Sequence, residues 1–192
     1  ICALFSNKTF AYLDAKCEFY LFTMPLYHKG ILHDKKEGKK MKIVTYRPEY
    51  REAFVRLNTE WLTRFYWVES FDQYAMDHVE DLIAQGAMAF FALDDTGEVL
   101  ATCMAMPLEG TTWELCKLAA RNQYTGTGAG SAVLQAAMHY AEEHGAKKEV
   151  LISCRSLKPA IHLYRKFGFR EVPYRKEYWK SEKADIEMER KV

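Results

Sequence analysis

The chain has 192 residues, of which 49% are hydrophobic, so it can bury the core of one domain. Residues 1–40 hold seven Lys or Arg and four Asp or Glu, which gives a net charge of +3. Residues 41–192 hold twenty Lys or Arg and twenty-two Asp or Glu, which gives a net charge of −2. The larger part lacks the basic face of a nucleic-acid-binding domain, so we expect no nucleic-acid partner. No apolar run reaches the length of a membrane span, so no membrane partner is expected either.

The five cysteines are widely spaced and odd in number, and no two form a C-x-x-C pair. This pattern favours neither a zinc site nor a disulfide framework. Free thiols are typical of a reducing compartment, so we predict a cytoplasmic protein without a bound metal.

Residues 1–40 differ from the rest of the chain. They are rich in Phe, Tyr and Leu, and charges interrupt every apolar stretch, unlike in a signal peptide. A strand-like segment begins at Met41. Our hypothesis is that Met41 is the natural start and that residues 1–40 are an upstream or non-native extension; the alternative is a docking or dimerisation segment. Residues 41–192 are predicted to form one domain.

Hydrophobic periodicity and turn residues predict alternating strands and helices in this domain. In chain order the prediction is a strand over 42–47, a helix opened by Pro48, a helix over 72–85, strands over 87–93, 98–106 and 112–120, a helix over 131–144, a strand over 150–154, a helix over 159–167, and closing strands around 169–179 and 184–190.

The most informative segment is a glycine-rich loop over residues 125–131, which reads TGTGAGS and precedes the helix over 131–144. Glycines that open a helix leave backbone N–H groups unscreened, and the helix adds about half a positive charge at its N-terminus. Such a loop can bind phosphate through its backbone alone, although a plain turn is the alternative. A P-loop is excluded because no lysine follows Gly130. The G-x-G-x-x-G pattern of dinucleotide-binding loops is excluded too, because a pattern started at Gly126 or Gly128 has no glycine at its last position.

A second motif begins about thirty residues later, at Pro159, and reads PAIHLYRKFGF. It is similar to the A-I-x-L-Y-x-K-x-G-F ending of the GNAT superfamily, the acetyl-coenzyme A-dependent N-acetyltransferases. The sequence over 128–130 also supplies the G-x-G of that family's Q/R-x-x-G-x-G/A loop, with Thr125 departing at the first position. A register starting at Gln123 matches every letter but fits the following helix less well. The resemblance covers about residues 41–192, although the Asn that often precedes the ending is missing here.

The resemblance implies an α/β fold (α+β in some schemes): a three-layer α-β-α arrangement around a mixed sheet. Two neighbouring strands should splay apart after the segments 118–120 and 151–153. Acetyl-CoA, the implied co-substrate, would place its pantetheine arm in that gap, along exposed strand backbone. A homodimer is common in the family. The implied cofactor-binding residues are Leu118, Ala119, Ala120, Thr125, Gly126, Thr127, Gly128, Ala129, Gly130 and Ser131.

Two residues are candidates for the chemistry. An attacking amine must be neutral although its pKa is about 10.4, so a base is needed. Glu114 is the candidate base, because many GNAT members place a glutamate on this strand; the alternative is a carboxylate paired with Lys117 or with a surface lysine. Strand alternation would put Glu114, Cys116 and Leu118 on one face. Tyr164 matches the family tyrosine that acts as acid on the coenzyme A sulfur; the alternative is a core tyrosine.

Other residues near the predicted site have competing interpretations. Cys116 and Cys154 allow an acetyl-cysteine intermediate, but an apolar filler is the commoner role. Aromatic residues with one carboxylate would suit a cationic amine, so Tyr66, Trp67 and Glu69 are the candidate acceptor-binding residues. Trp61 and Phe65 lie on an apolar helix stripe and are predicted to belong to the core.

The sequence therefore predicts an N-acetyltransferase that moves an acetyl group from acetyl-CoA to a primary amine by direct attack in a ternary complex. The alternatives are an acyltransferase with a longer acyl-CoA and a non-catalytic coenzyme A-binding sensor domain. A small-molecule or peptide amine is the expected partner.

Overall fold

The computed structural model describes residues 31–32, 41–121 and 126–192. Its strands are β1 (Ile31–Leu32), β2 (Met41–Thr45), β3 (Met88–Leu93), β4 (Val99–Pro107), β5 (Thr112–Ala120), β6 (Lys148–Ser153), β7 (Arg170–Val172) and β8 (Ile186–Lys191). Its helices are α1 (Arg51–Phe65), α2 (Ser70–Asp77), α3 (Val79–Ala84), α4 (Ala129–Glu143), α5 (Lys158–Lys166) and α6 (Lys176–Trp179), with a 3-10 turn at Pro48–Tyr50 before α1.

The described strands form one mixed sheet in the order β1-β2-β3-β4-β5-β6-β8-β7. Neighbouring strands are antiparallel except β5 and β6, which are parallel. One core lies between the sheet and α4, where Val133, Leu134 and Ala137 are fully buried. A second core lies between the opposite face and α1 to α3, centred on Phe54 and Met76. The predicted three-layer α-β-α arrangement is therefore confirmed.

Two predicted elements were wrong in detail. The helix predicted over 72–85 is interrupted at His78, whose φ of −118° and ψ of 33° end α2 and begin α3. The closing strand predicted over 169–179 is only the three-residue β7, because Pro173 follows it and has no N–H to donate to a ladder. The rest of that segment contains α6, whose Trp179 is buried and donates its indole N–H to Glu187 at 2.7 Å.

The predicted splay is confirmed, and it begins earlier than expected. Ladder pairs between β5 and β6 run from Thr112 with Lys148 to Glu114 with Val150. Beyond that point β5 continues beside β4 as far as Ala120, while β6 continues beside β8. The two strands therefore diverge from Leu115 onwards and open a wedge in the middle of the sheet.

A β-bulge interrupts β5 inside this wedge. Thr102 pairs with Ala119 and Met104 pairs with Cys116, so two residues of β5 oppose the single residue between them on β4. Lys117 has a left-handed φ of 53° at this point. The bulge shifts the alternation, so that Cys116 packs toward α1–α3 but Leu118 packs toward α4. The expectation that Glu114, Cys116 and Leu118 share one face was therefore wrong for Leu118.

β1 lies inside the segment predicted as an extension, and its two residues pair with Met41 and Lys42. The prediction that the natural chain starts at Met41 stays a prediction. Within the described ranges, no helix combines the length and the apolar character needed to cross a membrane.

Candidate functional site

A cavity of about 1050 Å³ fills the wedge between β5 and β6. Its volume is of the order found for small-molecule and cofactor sites. One end, the glycine-loop end, is lined by Gly126, Gly128, Gly130 and Ser131. The other end, the aromatic end, is lined by Trp61, Phe65, Tyr66 and Phe71. The prediction that Phe65 belongs to the core was wrong, because this side chain is 46% exposed. Because both ends belong to the same cavity, two ligands bound there would share one continuous space.

The glycine-loop end presents backbone donors. Gly128 is the N-cap of α4 and has a left-handed φ of 91°, a conformation that glycine adopts without strain. The first intrahelical bond runs from Ala132 N to Gly128 O at 2.9 Å, so the amides of residues 129–131 have no partner within the helix. The first turn reads Ala-Gly-Ser-Ala and carries no carboxylate to repel an anion. Thr125 lies outside the described residues.

The wedge exposes strand backbone between these two ends. Leu118 and Ala120 line the cavity, and beyond Glu114 no described residue of β6 pairs with β5. The opposite wall comes from α5 and the segment before it, through Leu157, Ala160 and Leu163. Three predicted cofactor residues do not line the cavity. Ala119 has only 2% of its surface exposed and packs toward α1–α3. Thr127 and Ala129 are absent from the cavity wall. Cofactor contacts by these three residues stay predictions.

Tyr164 lies on α5 and belongs to both the cavity wall and the α4-side core. Its side chain is buried and its ring contacts Phe169 edge-on, with the centroids 6.3 Å apart. Burial raises the pKa of the Tyr164 hydroxyl well above its ordinary value, and a hydrogen bond with Ser153 offsets part of that increase. The group is therefore a neutral phenol at pH 7, able to donate a hydrogen bond to a thiolate in the wedge.

Glu114 stands where β5 and β6 separate, and its side chain is 7% exposed. It lines the cavity at the point where the ladder between β5 and β6 ends. Lys117, which the alternative interpretation paired with Glu114, instead donates to Asp72 at 2.6 Å. The position of Glu114 fits a base that meets an amine arriving from the aromatic end.

The three residues predicted to bind the acceptor are placed differently. Tyr66 lines the aromatic end, and its hydroxyl forms a hydrogen bond with Ser156, which follows β6. Trp67 is 52% exposed and lies outside the cavity wall. Glu69 accepts hydrogen bonds from Ser181 Oγ at 2.9 Å and from the Glu182 amide at 2.8 Å, and it too lies outside the wall. Acceptor contacts by Trp67 and Glu69 stay predictions.

The model of the Acetyltransferase (GNAT) family matches residues 50–169. The chain belongs to the GNAT family. A relative named N-alpha-acetyltransferase, from Sulfurisphaera tokodaii, is 28% identical over 159 residues, which cover 76% of this chain and 90% of that protein. The family transfers acetyl groups from acetyl-CoA, so the chain is an acetyltransferase.

Solved structures of GNAT proteins share this fold. An acetyltransferase of the GNAT family from Staphylococcus aureus Mu50 has a TM-score of 0.71 at 16% identity, over 79% of this chain and 98% of that one. The PaiA N-acetyltransferase from Thermoplasma acidophilum, solved in complex with coenzyme A, has a TM-score of 0.62 at 16% identity. The match covers 79% of this chain and 99% of that one. At these identities the similarity shows the fold alone.

An ion network that sequence reasoning missed lies at the aromatic end of this GNAT domain. Asp72 accepts hydrogen bonds from Lys117 and Lys183, and all three side chains are less than a tenth exposed. Burial alone would raise the pKa of the Asp72 carboxyl, but the two lysines hold it below its ordinary value. The spacing of Glu69 and Asp72, which form a capping box on α2, could have identified Asp72. Lys183 is 111 residues away in sequence and gave no local signal.

The two cysteines near the GNAT site are poor nucleophiles. Cys116 and Cys154 both line the cavity, and burial raises the pKa of each thiol above its ordinary value. The Cys154 thiol also donates to the carbonyl of Lys183 at 3.0 Å. A thiol that stays protonated reacts slowly, which favours the filler interpretation over an acetyl-cysteine intermediate.

Proposed function

We propose that the protein transfers the acetyl group of acetyl-CoA to a primary amine, which attacks the thioester directly in a ternary complex. The observation that carries the proposal is that one cavity is lined by the loop at the N-terminus of α4, by Glu114 and Tyr164, and by the aromatic end. A donor and an acceptor bound at the two ends would meet in the wedge.

The donor is held largely by backbone. Its pyrophosphate docks on the loop over 125–131, where the amides of residues 129–131 and the positive end of α4 favour an anion. Its pantetheine arm lies against Leu118 and Ala120 and completes the edge of β5 that β6 leaves unpaired. Acetyl-CoA is thus recognised chiefly by features that do not depend on side-chain identity.

The chemistry needs one base and one hydrogen-bond donor. Glu114 accepts a proton from the ammonium group of the acceptor, directly or through a water molecule, and leaves a neutral amine. The amine nitrogen forms a bond to the thioester carbon, the C–S bond breaks, and the electron pair stays on the coenzyme A sulfur. Tyr164 donates a hydrogen bond to that thiolate and supplies the proton for its release as a thiol. The second proton of the attacking nitrogen leaves to solvent, giving an amide.

The aromatic end receives the acceptor. Aromatic rings beside a carboxylate suit a cationic amine, and Tyr66 already forms part of the wall. Trp67 and Glu69, in the linker between α1 and α2, would contact parts of the acceptor that extend from the cavity. The name of the Sulfurisphaera tokodaii relative adds the α-amino group of a polypeptide to the acceptors worth testing.

The test is release of free thiol from acetyl-CoA in the presence of small amines, amino acids, peptides with free N-termini and peptides with internal lysines. Turnover with one class establishes the enzyme and its acceptor together. Calorimetric binding of coenzyme A with no turnover across the panel would instead support the sensor interpretation. Faster turnover with longer acyl-CoA donors would revise the acyl group.

A further inference from the structure

The bulge in β5 controls which residues face the proposed cofactor. With uninterrupted alternation, Leu118 and Ala120 would share the face of Glu114 and Cys116, toward α1–α3. The extra residue at Lys117 reverses this pattern, so Leu118 and Ala120 pack toward α4 and line the wedge while Ala119 turns away. The edge of β5 that would hold the pantetheine arm therefore depends on the conformation of Lys117.

That conformation is unfavourable for a lysine. Among the described non-glycine residues, only Lys117 and Lys180 have a positive φ, at 53° and 50°. Left-handed backbone brings the Cβ atom too close to the following carbonyl oxygen, so a surrounding structure has to hold it in place. Bulges of this kind often lie beside active sites, where they redirect side chains.

The Lys117 side chain is tied down by α2. Its Nζ atom donates to Asp72 Oδ1 at 2.6 Å and lies 5.1 Å from the centroid of the Phe71 ring. Asp72 is itself fixed, because its Oδ2 atom accepts the Glu69 amide at 3.1 Å and a hydrogen bond from Lys183. The ion pair thus connects the strained residue of β5 to the N-terminus of α2 and to the segment before β8.

We propose that Asp72 is a positioning residue for acetyl-CoA: by holding Lys117 in its left-handed conformation, it sets the strand edge that receives the pantetheine arm. The inference rests on the proposed function, since it assumes that acetyl-CoA lies along β5. Asp72 acts through Lys117 and needs no contact with the cofactor.

The experiment compares Lys117→Ala with Lys117→Gly by calorimetry with coenzyme A. Both variants lose the ion pair, but glycine adopts a positive φ without strain and alanine does not. We expect Lys117→Ala to bind coenzyme A about tenfold more weakly than the wild type and Lys117→Gly to recover most of that loss. Lys117→Arg, which can still pair with Asp72, should bind within about twofold of the wild type.

A control separates positioning from general stability. Arg190 donates to the buried Glu149 at 2.8 Å, and neither residue lines the cavity. Arg190→Met should lower the melting temperature and leave coenzyme A affinity unchanged. If Lys117→Ala does not fold, Asp72→Asn replaces it, and the double variant Asp72→Asn/Lys117→Gly should bind coenzyme A more tightly than Asp72→Asn alone.

Equal affinities for the alanine and glycine variants, or wild-type affinity in both, would overturn the positioning role. If the wild type itself does not bind coenzyme A, the proposed function fails instead, so the two failures are distinguishable.

Discussion

The two ends of the cavity are built in opposite ways. The glycine-loop end is one continuous segment that offers backbone amides and the N-terminus of α4. The aromatic end is assembled from side chains of α1, α2, β5 and the segment before β8, joined by Asp72, Lys117 and Lys183. A backbone site is sensitive to conformation, whereas a side-chain site is sensitive to residue identity. Substitutions of side chains at the aromatic end should therefore leave the glycine-loop end intact, except at Asp72 and Lys117, which we propose also set the edge of β5.

The largest expected effect is at the glycine-loop end. Gly128→Val places a β-branched side chain at a φ of 91°, beside the amides proposed to hold the pyrophosphate, and should weaken coenzyme A binding about a thousandfold. Gly97→Val is the matched control, because Gly97 has a similar φ of 85° and lies in the turn between β3 and β4. Calorimetry checks both variants. Similar coenzyme A affinities in the two would mean that the loop is a plain turn.

The next effect tests the centre of the wedge. Glu114→Gln keeps the shape of the side chain but cannot accept a proton, so kcat should fall about a hundredfold while coenzyme A affinity is retained. Glu149→Gln is the control: Glu149 is fully buried on β6 and lies outside the cavity, so it should affect stability but not turnover. Steady-state kinetics with an amine that the wild type acetylates gives kcat for both variants. An unchanged kcat would leave Glu114 without a role as base.

A smaller effect is expected for the proposed acid. Tyr164→Phe removes the hydroxyl proposed to donate to the coenzyme A sulfur and should lower kcat about tenfold, with little change in coenzyme A affinity. Tyr140→Phe is the control, because Tyr140 is also a buried tyrosine with a raised pKa but lies outside the cavity wall. Loss of affinity without loss of rate would give Tyr164 a binding role instead.

The same difference between the two ends explains what the sequence could predict. The loop over 125–131 and the motif at Pro159 are each one unbroken stretch of sequence, so glycine spacing and helix signals could identify them. The resemblance that they carry then predicted the fold. The bulge at Lys117 could not be predicted, because its conformation depends on Asp72, 45 residues away. The hydrogen bonds of Glu69 to the segment at 181–183 could not be predicted either, because only the folded chain brings that segment near. Local signals specify the backbone site, and long-range charge pairs specify the side-chain site.

The smallest expected effect is a pH dependence that distinguishes two buried carboxyls. The lysines hold the pKa of Asp72 below its ordinary value of 3.8, so ionised Asp72 stabilises the fold above that pH, and this contribution is lost as the pH falls through the folded-state pKa. The pKa of Glu149 is shifted in the opposite direction. Burial raises its pKa above 4.5 despite Arg190, so its contribution is present below pH 4.5 and is lost as the pH rises through the folded-state value.

Urea unfolding of the wild type, Asp72→Asn and Glu149→Gln between about pH 2.5 and 7 checks both signs. The free energy of unfolding of the wild type minus that of Asp72→Asn should rise with pH below 3.8, by at most about 1.4 kcal/mol per pH unit for one proton. The corresponding difference for Glu149→Gln should fall with pH above 4.5. A flat difference for Asp72→Asn would mean that its charge does not hold the aromatic end together, and the contrast with the backbone-built glycine-loop end would then rest on packing alone.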